Sequence, residues 1–117
     1  MTTHLYGIPN CDTVRKARKW LDANGIDHTF HDFKKEGVDA NALARWADRC
    51  SWEALLNRRG TTFRKLDEAD KTDIDRDKAL VLMQAHPSMI KRPVVTIEDS
   101  ETVLVGFTRS EWENALC

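Results

Sequence analysis

The sequence predicts an α/β fold in which a β-α-β unit opens the chain, a β-β-α unit closes it, and a helical block is inserted at about residues 39–89. Three observations predict it. Short runs rich in β-branched and aromatic residues fall near the two ends: "HTFHDF" early, "PVVTI" and "TVLVGF" late. Between them, apolar residues recur at helical spacing. A Pro9-Asn10 turn joins the first apolar run to a basic, helix-periodic segment.

Residues 4–8 are short and apolar-leaning and read as a buried strand. Asn10 is then the expected N-cap, with Cys11, Asp12 and Thr13 in the first helical turn. Val14, Ala17 and Leu21 make an inward stripe, Arg15, Lys16, Arg18 and Lys19 face away, and Gly25 ends the helix. "HTFHDF" follows as a second strand. Strand, helix and strand within about thirty residues have the size of a βαβ unit, with a right-handed crossover expected.

In the middle, Leu43, Trp46, Ala47 and Cys50 mark one face of a helix starting near Asp39. Ser51 is placed to cap a short helix over "WEALL". "NRRGTTFRKL", with Gly60 and two threonines, reads as a loop, and "DIDRDKALVLMQAH" as a helix ending near Pro87. After the late hairpin, Thr108 and Glu111 form a capping box for a last helix. No Gly-, Ser- or Pro-rich linker isolates the helical block and no repeat is visible, so residues 1–117 read as one domain. A cysteine at the first strand-to-helix turn, two early parallel strands and a late hairpin describe a thioredoxin-like frame. In that frame Pro93 is expected to be cis.

Composition is ordinary and the net charge is −1, so nothing pulls the chain toward nucleic acid or an anionic membrane, and neither is expected as a partner. No apolar run reaches the length of a membrane span, and the N-terminal residues do not read as a secretory signal. The three cysteines, Cys11, Cys50 and Cys117, are odd in number and irregularly spaced. That argues against a disulfide framework and for a reducing compartment, read here as the cytoplasm.

Cys11 has two readings, a small packed residue or a reactive thiolate. A free thiol, of pKa ~8.5, is only a few per cent ionised at neutral pH. A helix N-terminus favours the thiolate, and Arg15, one turn on, is expected to assist it, while Asp12 opposes. "CDTV" carries Val14 where a C-x-x-C pair would place its second thiol, so a disulfide within this turn is excluded. Cys50 lies on an apolar face and reads as core, and Cys117 as a spectator. Trp20, Trp46, Trp52 and Trp112 fall in helical patterns and read as core. His4, His28, His31 and His86 show no metal-ligand spacing, so no metal is expected. Arg92, before Pro93, is the best second member of a site. It is suited to an anionic substrate or to the carboxylates of a glutathione tail. Arg58 and Arg59 matter only if the fold brings them to the thiol.

"YGIPNCDTVRKARKWL", "HPSMIKRPVV" and "VLVGFTRSEW" together resemble the arsenate reductase (ArsC)/Spx family over almost the full chain, and most of all its YffB-like branch. The resemblance implies a thioredoxin-like fold with a helical insertion, Cys11 as catalytic thiol and Arg92 as an anion-binding arginine before cis Pro93. The family's arsenate reductases attack arsenate with this cysteine, and glutathione and glutaredoxin complete the reduction. They place two further arginines around the anion. The matching positions here are Asn57, followed by Arg58 and Arg59, and Gly106. The Spx branch carries a C-x-x-C switch that Val14 removes. The YffB-like branch implies a glutathione-dependent thiol reductase. The expectation is therefore an oxidoreductase with no tightly bound cofactor and with glutathione as co-substrate. Its substrate is a small anion or a disulfide, with glutaredoxin a further partner. Cys11 reacts, and Arg92 with Asn57, Arg58 or Arg59 holds the anionic partner. The alternatives are a glutathione/glutaredoxin-coupled arsenate reductase and a non-enzymatic, Spx-like regulator that binds RNA polymerase.

Overall fold

The computed structural model describes residues 3–98 and 100–116. In chain order the elements are β1 (Thr3–Gly7), α1 (Asp12–Ala23), β2 (His28–Asp32), α2 (Phe33–Glu36), α3 (Ala40–Cys50), α4 (Trp52–Leu55), α5 (Thr61–Arg64), α6 (Glu68–Lys71), α7 (Arg76–Ala85), a 3₁₀ turn (Pro87–Met89), β3 (Val94–Ile97), β4 (Val103–Val105) and α8 (Arg109–Leu116). They form two compact units. One comprises the chain up to Glu36 and from Arg92 onward, and the other Gly37–Lys91.

The first unit is a four-stranded sheet in the order β2-β1-β3-β4 with α1 and α8. β1 and β2 run parallel with Leu5 opposite Phe30, and β1 and β3 antiparallel with Leu5 opposite Val95. β3 and β4 form the expected antiparallel hairpin. Along β1, Thr3, Leu5 and Gly7 are buried while His4 and Tyr6 are partly exposed, as strand alternation requires. The stripe of α1 meets that inner face. Leu5, Val14, Ala17, Trp20, Leu21, Val95 and Trp112 form one buried cluster. Fully burying an aliphatic side chain contributes about 1.5–3 kcal/mol, so this stripe fixes where α1 lies on the sheet. Trp112, wholly buried, donates its Nε1–H to Gly106 O at 3.1 Å and packs edge-on against Phe107.

Within the second unit, Asp39 accepts from the Ala42 N–H, Ser51 from the Ala54 N–H and Asp75 from the Lys78 N–H, which sets the starts of α3, α4 and α7. Leu43, Trp46 and Ala47 are buried on α3, and Ala79, Leu82 and Met83 on α7.

Two sequence expectations are corrected. Residues 57–66 are not simply a loop, since Gly60 caps the one-turn helix α5 and the Arg64 N–H donates to Gly60 O at 3.2 Å. Thr62 is tied to Ser88 through their hydroxyls at 2.7 Å, a tertiary contact that outweighs the weak helix propensity of threonine. The N-cap of α1 is Cys11, not Asn10. Pro9 and Asn10 occupy the turn, closed by the Cys11 N–H donating to Ile8 O at 3.2 Å, so the helix starts one residue later.

Candidate active site

Cys11 is held from both sides by its position. Its backbone is extended (φ −95°, ψ 125°), and its carbonyl already accepts from the Arg15 N–H at 3.0 Å. Partial burial pushes the thiol pKa up, but the backbone N–H groups of Val14 and Thr13, followed by the charge and hydrogen bonding of Arg92, outweigh it. The net result is a thiol held below its ordinary value. Neither amide makes a full capping hydrogen bond to Sγ, so what favours ionisation is the field of the helix start together with a cation.

That cation is Arg92, and the expectation for Arg15 is corrected. Arg15 Nη2 donates to Asp12 Oδ1 across one helical turn. Hydrogen bonding from Arg15, and then its charge, hold the Asp12 carboxyl below its usual range. Asp12, one residue from Cys11, therefore has its charge answered locally. Arg92 precedes Pro93 through a cis peptide bond, and Pro93 is buried. The Pro93 carbonyl accepts from the Gly106 N–H at 2.8 Å, which ties the start of β3 to the end of β4.

In the second unit, Asn57, Arg58 and Arg59 line a cavity of about 390 Å³ together with Glu53, Leu56 and Lys91. Leu56 and Ile90 form an antiparallel bridge, flanked by the Asn57 N–H donating to Met89 O and the Lys91 N–H donating to Leu55 O, both at 2.8 Å. Asn57 Oδ1 accepts from the Arg59 N–H at 3.1 Å, closing an Asx turn that presents the two arginines. Arg58 sits 6.0 Å above the Trp52 ring. The structure thus gathers Cys11, Arg92 and Pro93 in one unit, and Asn57, Arg58 and Arg59 in the other. Glu53 and Lys91 were not foreseen. Their place in the cavity follows from the pairing of residues 55–57 with 89–91, which periodicity does not reveal.

Cys50 Sγ donates to Trp46 O at 3.0 Å, and burial pushes its pKa up, so it is a packed thiol. Cys117 lies outside the described residues. His4 Nδ1 and His31 Nε2 are 2.9 Å apart, and the pair is flanked by Glu98 (3.2 Å to His4) and Glu36 (3.4 Å to His31). Among the described residues no group of three or more His, Cys, Asp or Glu side chains is placed to hold a metal ion. Nor is any described helix long and apolar enough to cross a membrane.

The ArsC family model matches residues 6–115. The chain is similar to the solved structure of a YFFB protein, with 50% identity and a TM-score of 0.93 over 98% of this chain and 99% of that one. It is also similar to the solution structure of an arsenate reductase (ArsC) related protein from Brucella melitensis, with 50% identity and a TM-score of 0.76 over 98% of this chain and 94% of that one. Among curated relatives, the global transcriptional regulator Spx 1 of Lactococcus lactis subsp. lactis is 28% identical over 109 residues, 92% of this chain and 83% of the relative.

Proposed function

The chain belongs to the ArsC family, and from that premise we propose that it is a glutathione-dependent thiol oxidoreductase working through the single thiol of Cys11. The observation that carries this reading is the placement of Cys11 at the N-cap of α1, where the helix start and Arg92, before cis Pro93, favour its thiolate. A thiolate is the nucleophile of disulfide exchange. The Cys11 thiolate attacks the glutathione sulfur of a glutathionylated substrate, the substrate sulfur leaves as thiolate, and Cys11 is left disulfide-bonded to glutathione. A second glutathione thiolate attacks that bond, releases oxidised glutathione and regenerates Cys11. Overall the substrate sulfur is released as a thiol, one free glutathione is consumed, and the substrate's disulfide is exchanged for that of oxidised glutathione. Arg92 steadies the thiolate and meets anionic groups that approach it.

The test is turnover of a glutathionylated peptide in the presence of glutathione, followed as oxidised glutathione forms. Cys11→Ser should abolish it in a folded chain, and wild-type protein with no activity above the uncatalysed exchange would overturn the reading. The same assay with arsenate separates the arsenate reductase reading, which the name of the Brucella relative favours. Against it stands Gly106, at the position where the family's arsenate reductases carry an arginine. The similarity to an Spx regulator favours a non-enzymatic reading, tested by copurification with RNA polymerase. Val14, fully buried, stands where that branch has its second switch cysteine.

A further inference from the structure

The cavity beside Asn57 holds charges of both signs that do not pair with one another. Arg58, Arg59 and Lys91 line it, and so does Glu53. Neighbouring opposite charges on a protein surface often pair with one another. Elsewhere on this chain Arg15 pairs with Asp12, Arg76 with Asp48 and Arg109 with Glu113. Among the described residues Glu53, Arg58, Arg59 and Lys91 form no ion pair, although they share one cavity. The backbone bridge at Leu56 and Ile90 and the Asx turn at Asn57 fix the backbone that carries Arg58, Arg59 and Lys91.

We infer that this cavity is a binding site for a zwitterionic α-amino-acid head, with the carboxylate on Arg58, Arg59 and Lys91 and the ammonium on Glu53. A site built for a bare oxyanion would gain nothing from a carboxylate in its wall, because Glu53 repels such a ligand. A head carrying both charges uses all four side chains. A volume of about 390 Å³ accommodates a ligand of this size. Naming the γ-glutamyl end of glutathione as the natural bearer of that head rests on the function proposed above. The preference for a zwitterion rests on the cavity alone.

The probe is S-methylglutathione, which has the head but no free thiol and so binds without exchanging disulfides. Its binding to the intact chain is compared by NMR titration with that of S-methyl-glutarylcysteinylglycine, which keeps every carboxylate but lacks the ammonium, and with inorganic arsenate. The expected shifts centre on the amides of Glu53, Arg59 and Lys91. S-methylglutathione should bind roughly 1.5- to fivefold more tightly than the glutaryl analogue, the range for an exposed ion pair. Glu53→Gln should remove that advantage and strengthen binding of the glutaryl analogue and of arsenate. Glu53 is exposed and the swap keeps its shape, so the fold should not suffer. Equal binding of the two peptides by wild-type protein, or a Glu53→Gln variant that weakens all three ligands alike, overturns the inference. The turnover assay is independent of it. Zwitterion selectivity without turnover would sink the proposed function and leave this site standing, and turnover without selectivity would do the reverse.

Discussion

The Arg15 guanidinium is bonded to the carboxylate of Asp12, three residues before it. A carboxylate is fully ionised at neutral pH and a thiol only partly, so the carboxylate wins the arginine. The cation left for Cys11 is Arg92. Alkylation of Cys11 by iodoacetamide should therefore show an apparent pKa below the ~8.5 of a free thiol. Arg92→Ala should raise it, and Arg15→Ala should move it less. Because the folded value is the lower one, ionisation stabilises the fold. The increment is complete above the unfolded thiol's ~8.5 and is lost as the pH falls through the folded value. Denaturant melts of wild type and Cys11→Ser across that window should converge at its acid end.

Cys50 is expected to be the slow thiol. Its Sγ–H is committed to Trp46 O, and burial opposes its ionisation. Mass spectrometry after brief alkylation at neutral pH should find the label on Cys11 well ahead of Cys50. A Cys50→Ala, Cys117→Ser double variant should keep glutathione-dependent turnover, with some stability lost to the small cavity at Cys50. If a folded double variant is inactive, an internal thiol rather than glutathione resolves the intermediate.

Gly7 ends β1 where α1 presses closest. A Cβ there would stand 2.8 Å from Val14 Cγ2. Gly7→Ala should cost about 1–3 kcal/mol in urea melts, as overpacking does. Val14→Ala removes the obstacle, so the double variant should lose less than the sum of the single losses, by at least about 0.5 kcal/mol. Simple additivity would show that the helix moves away freely.

Gly106 has φ +73°, in the left-handed region, and its carbonyl takes the Trp112 indole. Gly106→Arg, which restores the arginine of the arsenate-reducing pattern, should cost about 1–3 kcal/mol in backbone strain. It should not by itself raise arsenate turnover. A variant as stable as wild type would mean that this turn re-forms at negative φ.

Much of this architecture can be read from single residues. The stripe of Val14, Ala17 and Leu21, the helix start near Asp39 and the cap at Ser51 speak through local chemistry, and α1, α3 and α4 form over those segments, α1 one residue later than expected and α7 three residues inside its expected start. α5 and α6, of four residues each, are too short for a 3.6-residue period to show. Arg15 misleads because a one-turn spacing reaches both Cys11 and Asp12, and only side-chain geometry reveals the choice. Lys91 reaches the cavity that Glu53 also lines through the bridge between Leu56 and Ile90, a pairing across the unit that no local pattern encodes.

The first unit is discontinuous in the chain, and that dictates an order of assembly. His4 on β1 finds Glu98 only 94 residues later, and the whole of β1's antiparallel partner arrives with it. Once Lys91 has been added, the second unit, Gly37–Lys91, holds all of its own sequence, while β3 is still to come. β1 meanwhile carries an unpaired edge, a template for wrong partners. The nascent chain should therefore gain protection in α3 and α7 before β1. Pulse hydrogen exchange on stalled chains in which residue 91 has just cleared the ribosome would reveal this order, and early protection at Leu5 would refute it. Mutations that slow the arrival of β3 should then appear as aggregation during synthesis, even where the finished protein is as stable as wild type.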